Sequence, residues 1–142
     1  SEESEVKKRK PLARQCKVGK VKVKDTEYFH SVDTLINKVQ AGFAVAASMK
    51  LTPNFYGSNP VILNQNKFVG KEMDTHSAGH SITIVGLVKL PKVLNEGRVC
   101  FIVANSWGPG WGKGGHACIS EKWITEQKQV NPFVSVIDIS IK

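Results

Sequence analysis

Only one stretch of this chain carries a helical hydrophobic period, and that limits the possible folds more than any other feature. Val32, Leu35, Ile36 and Val39 recur at the i, i+3, i+4, i+7 spacing that builds a single apolar stripe. Ser31 stands before them as an N-cap, Asp33 puts a negative charge at the positive end of the helix dipole, and Gly42 supplies a left-handed stop. Everywhere else the apolar residues alternate or form short blocks. Val18, Val21 and Val23 sit between lysines, as in a strand with one wet face near a sheet edge. Residues 43–49 are small and apolar on both faces, which suits a buried strand. His80 opens a β-rich run through Leu90, and residues 99–105 and 116–120 read as two further strands. Phe133, Ser135, Ile137, Ile139 and Ile141 alternate with Val134, Val136, Asp138 and Ser140 in a last strand. Residues 61–63 suit either a strand or a loop. One helix and about six strands with short connections predict an α+β fold, an antiparallel barrel-like sheet carrying one main helix.

The 142 residues make one domain by length, and 41% hydrophobic against 23% charged residues excludes a disordered or fibrous chain. A net charge of +8 invites a nucleic-acid reading, but its placement argues against one. Nine Lys/Arg and three Glu fall in residues 1–24, leaving eleven basic and nine acidic residues for the rest. No aromatic side chains interleave with Lys7, Lys8, Arg9, Lys10 and Arg14 to stack on bases. Residues 1–16 therefore read as a basic arm or processing region, and 17–142 as the folded body. Neither a membrane-spanning run nor a signal peptide is present, and a start at Ser1 rather than Met suits a trimmed piece of a longer product.

Cys16, Cys100 and Cys118 allow at most one internal pair. Cys100 and Cys118 lie inside expected strands, as small buried hydrophobes or, if those strands adjoin, as a pair. His76 and His80 with Asp74, His116 and Cys118 suggest a zinc site, but Ser77, Ala78 and Gly79 oppose the helix that would put both imidazoles on one face. No metal or cofactor is called for.

Two clusters carry chemistry. One reads Gly79-His80-Ser81-Ile82-Thr83-Ile84-Val85-Gly86, the other Asn105-Ser106-Trp107-Gly108-Pro109-Gly110-Trp111-Gly112-Lys113-Gly114-Gly115. A His at the mouth of one strand and an Asn at the end of the next become neighbours in an antiparallel sheet. The Asn carbonyl can then accept from one ring nitrogen and leave the other for proton transfer. Trp107 has the size to lie over that bond and exclude water.

In these motifs the chain resembles the papain-like cysteine peptidases. That family carries a catalytic His in a strand reading roughly His-Ala-Val-x-x-Val-Gly and a catalytic Asn in Asn-Ser-Trp-Gly-x-x-Trp-Gly-x-x-Gly-Tyr. Here Ser81-Ile82 replace Ala-Val, and His116 stands at the place of the final Tyr. The His–Asn separation of 25 residues includes the polar connection at 91–97. The resemblance extends over about residues 17–141. The family's early Gln-x-x-x-x-x-Cys-x-x-Cys-Trp stretch has no counterpart, and Cys16, directly after Gln15, does not open an apolar helix.

The resemblance implies the later, sheet-rich lobe of a two-lobed thiol endopeptidase. His80 and Asn105 would be its catalytic residues, Trp107 their support, and Ala47, Gly79, Ser81 and Trp111 the substrate-binding surface. Ala47 and Ser81 match positions lining the pocket for the side chain next-but-one upstream of the cut, and Trp111 borders the leaving-group side. It further implies a separate N-terminal lobe chain bearing the nucleophilic Cys, a peptide or protein substrate, and a secreted, periplasmic or lysosome-like setting. The alternative is a non-catalytic homologue that serves as a binding or inhibitory module.

Overall fold

A computed structural model describes residues 21–69, 79–126 and 131–141. The basic arm, Cys16, Asp74 and His76 lie outside them. Seven strands form one sheet: β1 (Val21–Phe29), β2 (Val45–Met49), β3 (Val61–Ile62), β4 (His80–Lys89), β5 (Val99–Ala104), β6 (His116–Ser120) and β7 (Phe133–Ile141). Their order is β1-β7-β2-β4-β5-β6-β3, antiparallel throughout except for β3, which lies parallel to β6. The α+β content and the antiparallel hand agree with expectation. The sheet, however, stays open between its edge strands β1 and β3.

The main helix, α1 (Val32–Gln40), forms where its stripe and caps place it. Ser31 accepts from the Thr34 N–H through its side chain, and Gly42 adopts φ +92° just past the end. Leu35 and Val39 are buried against the inner face of the sheet, beside Val45, Ile84, Phe101, Val103 and Ile119. Burying such side chains stabilises the fold by about 1.5–3 kcal/mol each. A second, shorter helix, α2 (Glu121–Glu126), was not visible in the periodicity; it drives Trp123 into the same core. The β7 alternation is real, with Phe133 and Ser135 buried, but it outruns the core, so Ile139 and Ile141 on the same side are exposed. Cys100 and Cys118, on adjoining β5 and β6 with Cα atoms 5.5 Å apart, form a disulfide.

Two carboxylates fasten the connections. Glu96 in the 91–97 loop is 1% exposed. It accepts from the Asn64 and Gln65 backbone N–H groups and the Ser120 hydroxyl at 2.6, 3.2 and 2.7 Å. Glu121 accepts from the Arg98 backbone N–H at 2.7 Å and from its guanidinium, which also reaches Asp33 at the start of α1. Hydrogen bonding to Arg98 holds the Glu121 carboxyl below its usual range, against the opposing pull of burial. A carboxyl whose folded pKa is depressed adds stability above its unfolded pKa and loses it as the pH falls through the folded value. Stability should therefore decline on acidification from about pH 4.5 downward, and Glu121→Gln should flatten that limb in urea titrations run at several pH values.

Candidate active site

The register of β4 and β5 builds the site. Thr83 pairs with Ala104, so His80 at the start of β4 and Asn105 just beyond β5 emerge at the same end of the sheet. Met49, the last residue of β2, pairs with His80 on its other side. The glycine-rich turn then folds back: the Asn105 N–H donates to Gly115 O at 3.0 Å, fixing the backbone from which the carboxamide projects. Gly112 is obligatory in that turn. At φ +56° a Cβ there would stand 2.2 Å from His116 O.

His80 Nε2 lies 2.8 Å from Asn105 Oδ1. The Ser106 backbone N–H donates to the same oxygen at 2.8 Å, which identifies that atom as the carbonyl end of the amide. A flipped carboxamide would set its NH2 group against the Ser106 N–H. Because Oδ1 can only accept, His80 Nε2 must carry a hydrogen, and in the neutral ring Nδ1 is the basic nitrogen. Asn105 Nδ2 is buried and has no hydrogen-bond partner among the described residues. An orphaned amide of this kind costs about 1–3 kcal/mol, so the side chain is placed for its carbonyl's contacts at the expense of its own satisfaction.

Aromatic rings surround the pair. Trp107 lies over the imidazole with centroids 4.7 Å apart, and Phe55, fully buried, meets His80 edge-on at 5.9 Å. Trp107 also packs edge-on against Phe55 and stacks on Tyr56. The indole of Trp111 donates to Phe55 O at 2.7 Å, and that of Trp123 donates to the Thr52 hydroxyl at 2.8 Å. Phe55 and Tyr56 lie in a stretch rich in Pro, Asn and Gly, whose composition gives no sign that two rings fold inward to meet distant indoles.

Two of the residues expected at the substrate-binding surface are buried. Trp111 is 5% exposed and braces Phe55 from within the core, while the indole open to solvent beside His80 is Trp107, at 40%. Ala47 is 1% exposed on the inner face of β2, paired with Ile82. In β2 strand neighbours alternate faces, so Ala47 and Ser48 lie on opposite sides of the sheet. Ser48 and exposed Ala46 are the β2 residues on the outer face, and the Ser48 and Ser81 hydroxyls are hydrogen-bonded at 2.7 Å. Ser81 is exposed, and Gly79 is exposed just ahead of β4. Cys118 is disulfide-bonded, and among the described residues no three His, Cys, Asp or Glu side chains come together as metal ligands.

The sequence profile described as papain family cysteine protease matches residues 2–134. An uncharacterized peptidase C1-like protein of Acanthamoeba polyphaga mimivirus is 23% identical over 133 residues, covering 91% of this chain and 39% of that protein. The fold is similar to digestive procathepsin L 3 of the Tenebrio molitor larval midgut (TM-score 0.57, 17% identity), covering 79% of this chain and 34% of the other. It is also similar to the clostridial cysteine protease Cwp84 after propeptide cleavage (TM-score 0.61, 15% identity), covering 86% and 30%. The chain thus spans about a third of the length of these relatives, between 30% and 39%. With the matched profile extending over most of its residues, the chain belongs to the papain family of cysteine proteases.

Proposed function

We propose that this chain supplies the imidazole and the orienting carboxamide of a thiol endopeptidase whose nucleophilic sulfur lies outside residues 1–142. The observation that carries the reading is the doubly engaged Asn105 Oδ1, which holds His80 through Nε2–H and supports Nδ1 as the proton-exchanging nitrogen. Cys100 and Cys118 are tied to each other, which is consistent with a thiolate provided by another part of the protein or by a partner chain carrying the N-terminal lobe.

In this mechanism a thiolate, stabilised beside the imidazolium, attacks the peptide carbonyl carbon. The C–N bond breaks as Nδ1–H passes its proton to the leaving amine. Neutral Nδ1 then takes a proton from water, whose oxygen attacks the thioester carbonyl and releases the acid and the thiolate. Asn105 holds the ring through Nε2–H in both steps, and Trp107 shields that hydrogen bond from water. A secreted or lysosome-like setting is supported by the similarity to a digestive procathepsin of the Tenebrio molitor midgut and by a disulfide suited to an oxidising compartment.

A cysteine-directed epoxide added to the full-length protein should label one cysteine outside residues 1–142 and abolish peptide hydrolysis. Label on Cys16 instead would overturn the assignment. Asn105→Ala should lower kcat by about 10–100-fold and leave KM within about threefold, because the group acts through His80 rather than on substrate. An unchanged kcat would remove Asn105 from the mechanism.

A further inference from the structure

The whole run from Asn105 to Gly115 lies inside one covalent loop. Cys100 on β5 and Cys118 on β6, 18 residues apart in sequence, close it with their disulfide. The bond runs diagonally across the ladder, since Cys100 pairs with Ser120 and Cys118 with Ile102. Beyond the Ile102–Cys118 rung, Val103–Ala117 and Ala104–His116 lead to the Asn105 N–H, which donates to Gly115 O. At ~3.4 Å per residue, the nearer end of the crosslink stands about 10 Å behind Asn105 along the strands. Two features give it leverage there. Five of the eleven residues from Asn105 to Gly115 are glycine, so the segment gains much backbone entropy whenever the ladder end opens. On its far side β6 meets the two residues of β3 among the described residues, so β5 carries most of its attachment. A closed covalent loop withholds part of that entropy from the open state. The two cysteines are unequally accessible: Cys118 is half-buried, whereas Cys100 is 1% exposed.

We propose that the Cys100–Cys118 disulfide is a thiol-sensitive brace on Asn105, and that opening it lowers turnover without touching the nucleophile. The reductant is a low-molecular-weight thiol. Its thiolate attacks Sγ of Cys118, the S–S bond breaks, and Cys100 departs as a thiolate that takes a proton from solvent. A second thiolate attacks the outer sulfur of the mixed disulfide, and the Cys118 thiolate leaves and is protonated. Two thiols are thereby oxidised to one disulfide while the protein's disulfide is reduced to two thiols. With the bond open, β5 and β6 stay paired through buried Phe101, Val103, Ala117 and Ile119. The free end of the ladder opens more often, and Asn105 and Trp107, which share the loop, leave the imidazole together. The inference rests on the peptidase reading for its effect on turnover and extends that reading to regulation. Thiol then acts in two opposed senses, freeing the nucleophilic sulfur at low concentration and releasing the brace at high concentration. Activity passes through a maximum as thiol rises.

The test uses the full-length protein with reduced glutathione as the thiol. At the low concentration that maximises wild-type activity, Cys100→Ala/Cys118→Ala should lower kcat about fivefold and leave KM within about threefold. In an Asn105→Ala background the same two substitutions should lower kcat less than about 1.5-fold, because no carboxamide is left to position. An equal loss in both backgrounds would mean general loosening and overturns the brace. As glutathione is raised, wild-type kcat should fall in step with the fraction of molecules alkylated at both Cys100 and Cys118, read by mass spectrometry. The double variant should show no such fall. Independently of turnover, opening the bond should speed hydrogen exchange at the Asn105 N–H about tenfold relative to the Leu35 N–H of α1. A kcat that holds while the bond is open, or Asn105 exchange that does not change, overturns the brace. Absent hydrolysis at every glutathione concentration, with Asn105 exchange still faster on reduction, instead overturns the peptidase reading and keeps the brace.

Discussion

Replacing His80 with alanine in the full-length protein is expected to lower kcat for peptide hydrolysis by about 10³–10⁴-fold while KM changes by less than about threefold. The size follows from the proposed role, in which the same nitrogen would deliver a proton to the leaving amine and later withdraw one from water. The fold should bear the loss. His80 is only half-buried, and Asn105 Oδ1 keeps the Ser106 N–H as a donor when the imidazole is gone. A thermal midpoint near that of the wild type would therefore accompany the inactive enzyme. Free imidazole in the buffer should recover a small, concentration-dependent part of the activity. A variant that retains more than a tenth of wild-type kcat would show that His80 does not transfer the proton, whatever its contacts.

The second large effect is on stability. Glu96→Ala should destabilise the protein by about 3–5 kcal/mol, read from urea unfolding at pH 7 as a lower midpoint with an unchanged slope. Alanine orphans three donors at once, the N–H groups of Asn64 and Gln65 and the hydroxyl of Ser120. It also leaves a void where a side chain only 1% exposed had stood. Ser120 in turn accepts from the Trp123 N–H, so the loss spreads to the first turn of α2. Glu96→Gln keeps one acceptor oxygen but turns an NH2 group toward a backbone donor, and should recover roughly half of the deficit. A cost under about 1 kcal/mol for alanine would mean that water replaces the carboxylate, and that the loop is not fastened as described.

What was legible in the sequence is what is decided locally. Ser31, the Leu35–Val39 stripe and Gly42 specify α1 from within twelve residues, and nothing distant contradicts them. The His80–Asn105 pair was legible because each residue sits at a strand end, where antiparallel pairing brings ends together. Features settled by distant partners were not. β3 is two residues long and exists because β6 lies alongside it, in the parallel sense. Glu96 sits in a run that looks solvated, yet donors from residues 64, 65 and 120 converge on it. Ala47 and Ser48 differ by one step along a strand that is apolar or small on both sides, so composition could not say which faced the core. Trp111 sits in a motif associated with chemistry, but its indole N–H is claimed by Phe55 O, fifty-six residues away in sequence.

The double acceptance at Asn105 Oδ1 has a kinetic corollary. Gaining or losing a proton at Nδ1 leaves the Nε2–H bond intact, so the ring has no reason to rotate between protonation states. In the proposed mechanism each half-cycle would then displace a proton rather than a side chain, and the reorganisation the surroundings must undergo would be small. Activity in such a site is vulnerable less to the loss of a group than to a freed torsion: any change that lets the imidazole turn about its Cβ–Cγ bond removes the pre-set trajectory while every reactive atom is still present.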